Sequence, residues 1–106
     1  MKLSISSVVG MITALYLSSC SLLPTPHENF KSAMQSNIGK REDDSSSFLS
    51  RYSESVADRR VLPNGNNETE FRWRKQCPVF FEIDSSTHII VGWRFEGSER
   101  DCAIVP

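Results

Sequence analysis

The chain lacks an excess of either charge: 12 Lys and Arg face 13 Asp and Glu over 106 residues. A dedicated nucleic-acid binder carries a basic surplus, so no nucleic-acid partner is expected. Histidine is scarce, with only His27 and His88, and no Cys-x-x-Cys is present. The ligand spacings of a zinc site are therefore missing, and no metal is expected. There is no Gly-x-Ser-x-Gly, no phosphate-cradling glycine loop and no His-Glu-x-x-His. Carboxylates are plentiful, but nothing marks Glu82 with Glu96, or Asp84 with Asp101, as an acid/base couple. These absences favour a non-enzyme without a cofactor. What remains is ordinary: 39% hydrophobic and 24% charged residues fit a globular chain of one domain rather than a disordered one.

The first twenty residues depart from that average. Lys2 gives a short positive start, and Leu3 to Leu17 carries no charged side chain. Leu17-Ser18-Ser19-Cys20 follows, with small residues ahead of a cysteine, which is the layout of a cleaved signal peptide. The tetrapeptide resembles a bacterial lipobox. That resemblance implies cleavage before Cys20, acylation of its thiol and of the new N-terminus, and a stable membrane anchor built from several acyl chains. With Ser21 rather than Asp after the cysteine, the resemblance also implies sorting to the outer membrane, facing the periplasm. A retained transmembrane anchor is the competing reading. The segment is near the lower length limit for spanning, and its serines weaken it. Residues 1–19 thus read as a lipoprotein signal peptide, 20–25 as a lipidated tether and 26–106 as a small periplasmic domain. Cleavage leaves 87 residues with 11 basic and 13 acidic side chains, and chains of that size often carry a covalent staple.

Once Cys20 is assigned to lipid, Cys77 and Cys102 form an even pair in an oxidising compartment, and a disulfide is expected. A closed loop of about 25 residues stabilises by roughly 3–4 kcal/mol in the chain-entropy picture.

Along the mature chain, Thr25-Pro26-His27-Glu28 is a helix start: Thr25 caps, Pro26 suits the first helical position, and Glu28 completes a capping box. Phe30, Ala33, Met34 and Ile38 share one helical face, and Gly39 stops the helix. His27 reads as a solvated first-turn residue. Lys40 to Ser47 reads as a polar loop, its Glu42, Asp43 and Asp44 lacking the spacing of a calcium loop. Ser46 or Ser47 caps a short helical stretch through Tyr52. From there the period becomes two. Val56 to Leu62 is extended, and Pro63-Asn64-Gly65-Asn66 turns. Thr69 to Arg74 alternates, Lys75-Gln76-Cys77-Pro78 breaks, Val79 to Asp84 resumes, Ser85-Ser86-Thr87 turns, and His88 to Glu96 runs back. The fold class is α+β: an N-terminal helix on a three- or four-stranded antiparallel meander with one disulfide.

Alternation places Phe71, Trp73, Val79, Phe81, Ile83, Ile89, Val91, Trp93 and Phe95 under the helix. Arg72, Arg74, Glu82, Arg94 and Glu96 point outward. Pairing Asp84 with His88 sets Phe80 opposite Gly92 and brings Cys77 beside the segment leading to Cys102. His88 reads as an exposed turn residue. Outward Arg72, Arg74 and Arg94 form a candidate binding face for an anion or headgroup, diluted by Glu70, Glu82 and Glu96.

The run Glu70-Phe71-Arg72-Trp73, Cys77, Phe80-Phe81-Glu82-Ile83-Asp84, Ile90 to Gly97 and Asp101-Cys102 resembles a group of small proteobacterial lipoproteins. More loosely, a helix and meander behind a lipobox is similar to the SmpA/OmlA (BamE-like) lipoproteins of outer-membrane β-barrel assembly. The resemblance implies a scaffold or accessory at the outer membrane with a protein partner of the envelope. The alternative is a periplasmic ligand- or inhibitor-type binding module using an Arg/Trp sheet face.

Overall fold

The computed structural model describes residues 23–105. The signal peptide and Cys20 lie outside the described residues. Helix α1 spans Pro26–Gln35 and helix α2 is a single turn, Phe48–Arg51. After a 3₁₀ turn the chain forms β1 (Val56–Val61), β2 (Asn67–Arg74), β3 (Cys77–Ile83) and β4 (Ile90–Phe95). These make one antiparallel sheet in the order β1-β2-β3-β4, so the α+β meander expected from the sequence is present with all four strands.

The caps act as the residue types dictate. The Thr25 hydroxyl accepts from the Glu28 amide at 3.1 Å, with Pro26 inside the first turn. Helix α1 ends at Gln35 rather than running to Gly39. Gly39, at φ 89°, instead turns the chain so that its amide donates to the Ile90 carbonyl at 2.8 Å. Phe30 and Met34 project into a core with Leu49, Phe71, Val79, Phe81, Ile83 and Ile90, which are all buried. The outer face of α1 is exposed, so the helix covers one side of the sheet and leaves the other open.

Two features were beyond the simple period-two reading. The pairs Glu82↔Gly92 and Ile83↔Ile90 leave Val91 as an extra residue on β4. This bulge reverses parity at the start of the strand. Ile90 is the buried residue there, and Val91, expected inside, is 47% exposed. Past the bulge the expected faces return, with Trp93 opposite Phe81 and Phe95 opposite Val79. Consequently Phe80 lies opposite Arg94, and it is Glu82 that covers Gly92. The second feature is Pro78, which belongs to β3, so the break between β2 and β3 is only Lys75-Gln76.

The Cys77–Cys102 disulfide is formed, with Cα atoms 5.3 Å apart. Gly97 makes it reachable. At φ 125° the chain doubles back there, and a Cβ would lie 2.6 Å from the Gln76 carbonyl oxygen. The tail is then fixed beside the helix start: the Ile104 amide donates to the Pro26 carbonyl at 2.9 Å, and Trp73 Nε1 to the Ala103 carbonyl at 3.3 Å.

Candidate interaction face

The open face of the sheet carries a charge pattern set by register. Arg60, Glu68, Glu82 and Gly92 lie in one row across the four strands, and Asp58, Glu70, Phe80 and Arg94 in the next. Glu68 and Glu82 are directly opposed, an arrangement that like charges make unfavourable unless each is compensated. Each is. Glu68 receives Arg60 at 2.6 Å and Arg94 at 3.0 Å. Glu82 receives the side-chain amides of Asn64 and Asn66 at 3.1 and 2.8 Å, which ties the β1–β2 loop to the sheet.

Glu68 is the centre of this face, its side chain only 7% exposed. Burial alone pushes its carboxyl upward. The hydrogen bonds and charges of Arg94 and Arg60 outweigh that and hold it below the usual carboxylate value. Arg94 reaches Glu68 diagonally across the sheet, with its guanidinium 4.0 Å above the centre of the Phe80 ring and a second bond to Glu96 at 3.0 Å. Charge, stacking and two carboxylates therefore fix one rotamer of a long side chain. Around this assembly lies a hollow of about 230 Å³, lined by Asp58, Arg60, Glu68, Glu70, Phe80, Arg94 and Glu96.

The three arginines expected to form an outward ladder are not brought together. Arg94 is committed to Glu68 and Glu96. Arg72 pairs with Glu70 at 3.1 Å. Arg74 lies beyond an irregularity of the β2–β3 pairing, opposite Cys77, and has no ion pair among the described residues. Tryptophan is absent from this face: Trp73 and Trp93 pack against the core under α1. The hollow presents four carboxylates against two guanidiniums, so its excess is negative. The carboxylates at its rim can accept further hydrogen bonds from a cationic group, while Arg94 already stacks on the Phe80 ring.

Both histidines are structural. His27 is not solvated: its side chain is 12% exposed, and its Nδ1 lies 2.7 Å from the Cys102 carbonyl oxygen, which requires that nitrogen to donate. The ring also packs on Phe30 and Phe95, with centroids 5.9 and 5.3 Å away. His88 is exposed as expected, but it takes φ 61° and meets Glu42 at 3.0 Å. Glu42 also binds Arg59 at 3.0 Å, and Arg41 binds Asp43, so the acidic loop is tied to β1 and to the β3–β4 turn.

Sequence reasoning missed Asn37. Fully buried, it donates to the Ala33 and Met34 carbonyls and accepts from the Phe48 amide at 2.7 Å, joining the end of α1 to the start of α2. Its partner lies eleven residues away, so no local pattern signals it.

Among the described residues, no helix is long and apolar enough to cross a membrane, and no group of three or more His, Cys, Asp and Glu is placed to hold a metal. No family model matches the chain, and no curated protein or solved structure matches it either.

Proposed function

We propose that this chain is a non-enzymatic lipoprotein of the bacterial envelope, anchored through Cys20 at the outer membrane on its periplasmic side, where it serves as a scaffold or accessory for a protein partner. The partner docks a basic, partly apolar segment on the open face of the sheet. The observation that carries this reading is the face itself: an acidic hollow beside the Arg94–Phe80 stack, rigidified around buried Glu68 by Arg60 and Arg94. A preorganised face of this kind loses little side-chain freedom when a partner binds. The lipobox, the short tether and the disulfide of a small exported domain agree with it.

In-cell crosslinking from a photoreactive residue at Asp58, which lines the hollow and is exposed, tests the proposal. One defined envelope protein is expected as the product. Replacing Glu70 and Glu96 by Gln, which removes their charges without setting new like charges beside Arg72 and Arg94, should abolish the product while the protein still melts cooperatively. Recovery of bulk lipid and free lipoprotein alone, or a product indifferent to the two replacements, rejects it.

A further inference from the structure

We infer that the disulfide-bearing end of the domain rests directly on the lipid surface, with the strands standing away from it. This placement rests on the reading of Cys20 as the lipid anchor.

The chain enters the described fold at Leu23, three residues after Cys20, a span of at most about 11 Å. Whatever lies beside Leu23 is therefore held at headgroup level. The structure brings four segments to that end: the start of α1, the Lys75-Gln76 turn, the Gly97 to Asp101 loop and the tail from Cys102 to Val105. Their proximity is fixed by the Ile104–Pro26 hydrogen bond, the His27 bond to the Cys102 carbonyl, the contact of Gly97 with Gln76, and the disulfide. Two of the most exposed large apolar side chains are here, Leu23 at 77% and Val105 at 71%. Val105 also lines a hollow of about 390 Å³ with Thr25, Pro26, His27, Glu99, Arg100 and Ala103. Val61 is equally exposed, but it ends β1 beside the 62–66 loop, at the far end of the strands from this tether.

The charges at the disulfide end are mixed. Arg74, Lys75 and Arg100 are exposed there, and so is Glu99, while Asp101 is bound by Ser98. Net attraction to an anionic surface is thus weak, and the contact is apolar, with basic side chains at headgroup height in the manner of an interfacial anchor. With this end down, the acidic face stands upright and open to a partner approaching along the membrane plane.

The two tryptophans report on opposite ends of α1. Trp73 Nε1 bonds Ala103 at the disulfide end, whereas Trp93 Nε1 bonds Gln35 at 2.9 Å, at the helix terminus about 13 Å further along the axis. The mature acylated protein, as Trp93→Phe and Trp73→Phe single-tryptophan variants, is reconstituted in phosphatidylcholine vesicles carrying a nitroxide on part of the headgroups. Trp73 fluorescence should be quenched roughly twofold more than that of Trp93, given their difference in height. Leu23→Asp with Val105→Asp should lessen the quenching of Trp73, because the tether alone then holds this end near the surface. Equal quenching, stronger quenching of Trp93, or Trp73 quenching that the two aspartates leave unchanged overturns the placement. The mass of the N-terminal peptide is read on the same samples. Its lipid increment shows the anchor independently, and its absence overturns the anchor reading together with the placement built on it.

Discussion

Thr69 is fully buried on the helix side of β2, opposite Phe81, and its hydroxyl finds no hydrogen-bond partner among the described residues. A buried hydroxyl without a partner carries its desolvation penalty uncompensated, and a replacement of the same shape removes it. Thr69→Val should therefore raise stability by about 1 kcal/mol, read as an upward shift of several degrees in the melting midpoint. A fall in the midpoint would show that the hydroxyl is bonded in solution. Glu68 is the opposite case, a buried group fully partnered. Its folded-state pKa is below the ordinary carboxylate value. It thus contributes stability above that ordinary value and loses it as pH falls through the lowered folded value. Asp84 and Asp44 are lowered too, Asp84 chiefly by the backbone amide of Thr87 and Asp44 chiefly by that of Ser46. Acid titration of stability below about pH 5 should be flatter, though not flat, in Glu68→Gln. An acid limb identical to that of the unmodified protein would mean that the Arg60 and Arg94 bonds do not persist in solution.

The elements whose signals lie in neighbouring residues were legible in the sequence. Thr25-Pro26 and Glu28 mark the helix start, Asn64-Gly65 marks a turn, and the alternation of Phe71, Trp73, Val79, Phe81 and Ile83 marks the buried side of β2 and β3. The rest depends on partners distant in the chain. The bulge at Val91 arises because residues 39–42 pair with the start of β4, through the Gly39–Ile90, Ile90–Lys40 and Glu42–His88 backbone bonds. No period within β4 contains that information. His27 reads as solvated until the tail is laid beside it, and the tail is laid there by a disulfide. Arg72 and Arg94 lie on the open side of the sheet, each paired with carboxylates that cross-strand register sets beside them, whereas an irregularity after Arg72 puts Arg74 opposite buried Cys77. The disulfide consequently secures more than its own loop. Cys77→Ser with Cys102→Ser should cost about 3–4 kcal/mol through loop closure. It should also free residues 98–105, so that amide exchange accelerates at Ile104, whose amide is held by the Pro26 carbonyl, before it does in β2 and β3. Uniform acceleration across all elements would mean that the tail and the sheet unfold as one unit.

At the scale of the molecule, the three cysteines divide by location: Cys77 and Cys102 close the folded domain, and Cys20 precedes it. The core residues Phe30, Met34, Phe71, Phe81 and Ile90 and both bridged cysteines follow the helix cap at Thr25 in the chain. Folding and anchoring should therefore separate. Cys20→Ala should prevent acylation and processing while leaving the Cys77–Cys102 bridge intact. Its folded domain should then melt within about 0.5 kcal/mol of the unmodified protein, the range typical of a change away from any packed feature. What should change is the surface available for partner capture. Under the proposed function, the lipidated chain would search the membrane plane with its disulfide end down, and the acidic face would meet a membrane-bound partner in one orientation and at high effective concentration. The same domain without its anchor retains the face and loses that advantage. Crosslinking from Asp58 should accordingly fall steeply in Cys20→Ala, and fall less when the same domain is held by a different membrane anchor of equal tether length. If the replacement anchor does not restore the product, the acyl chains themselves are recognised, and the partner site extends from the sheet onto the lipid.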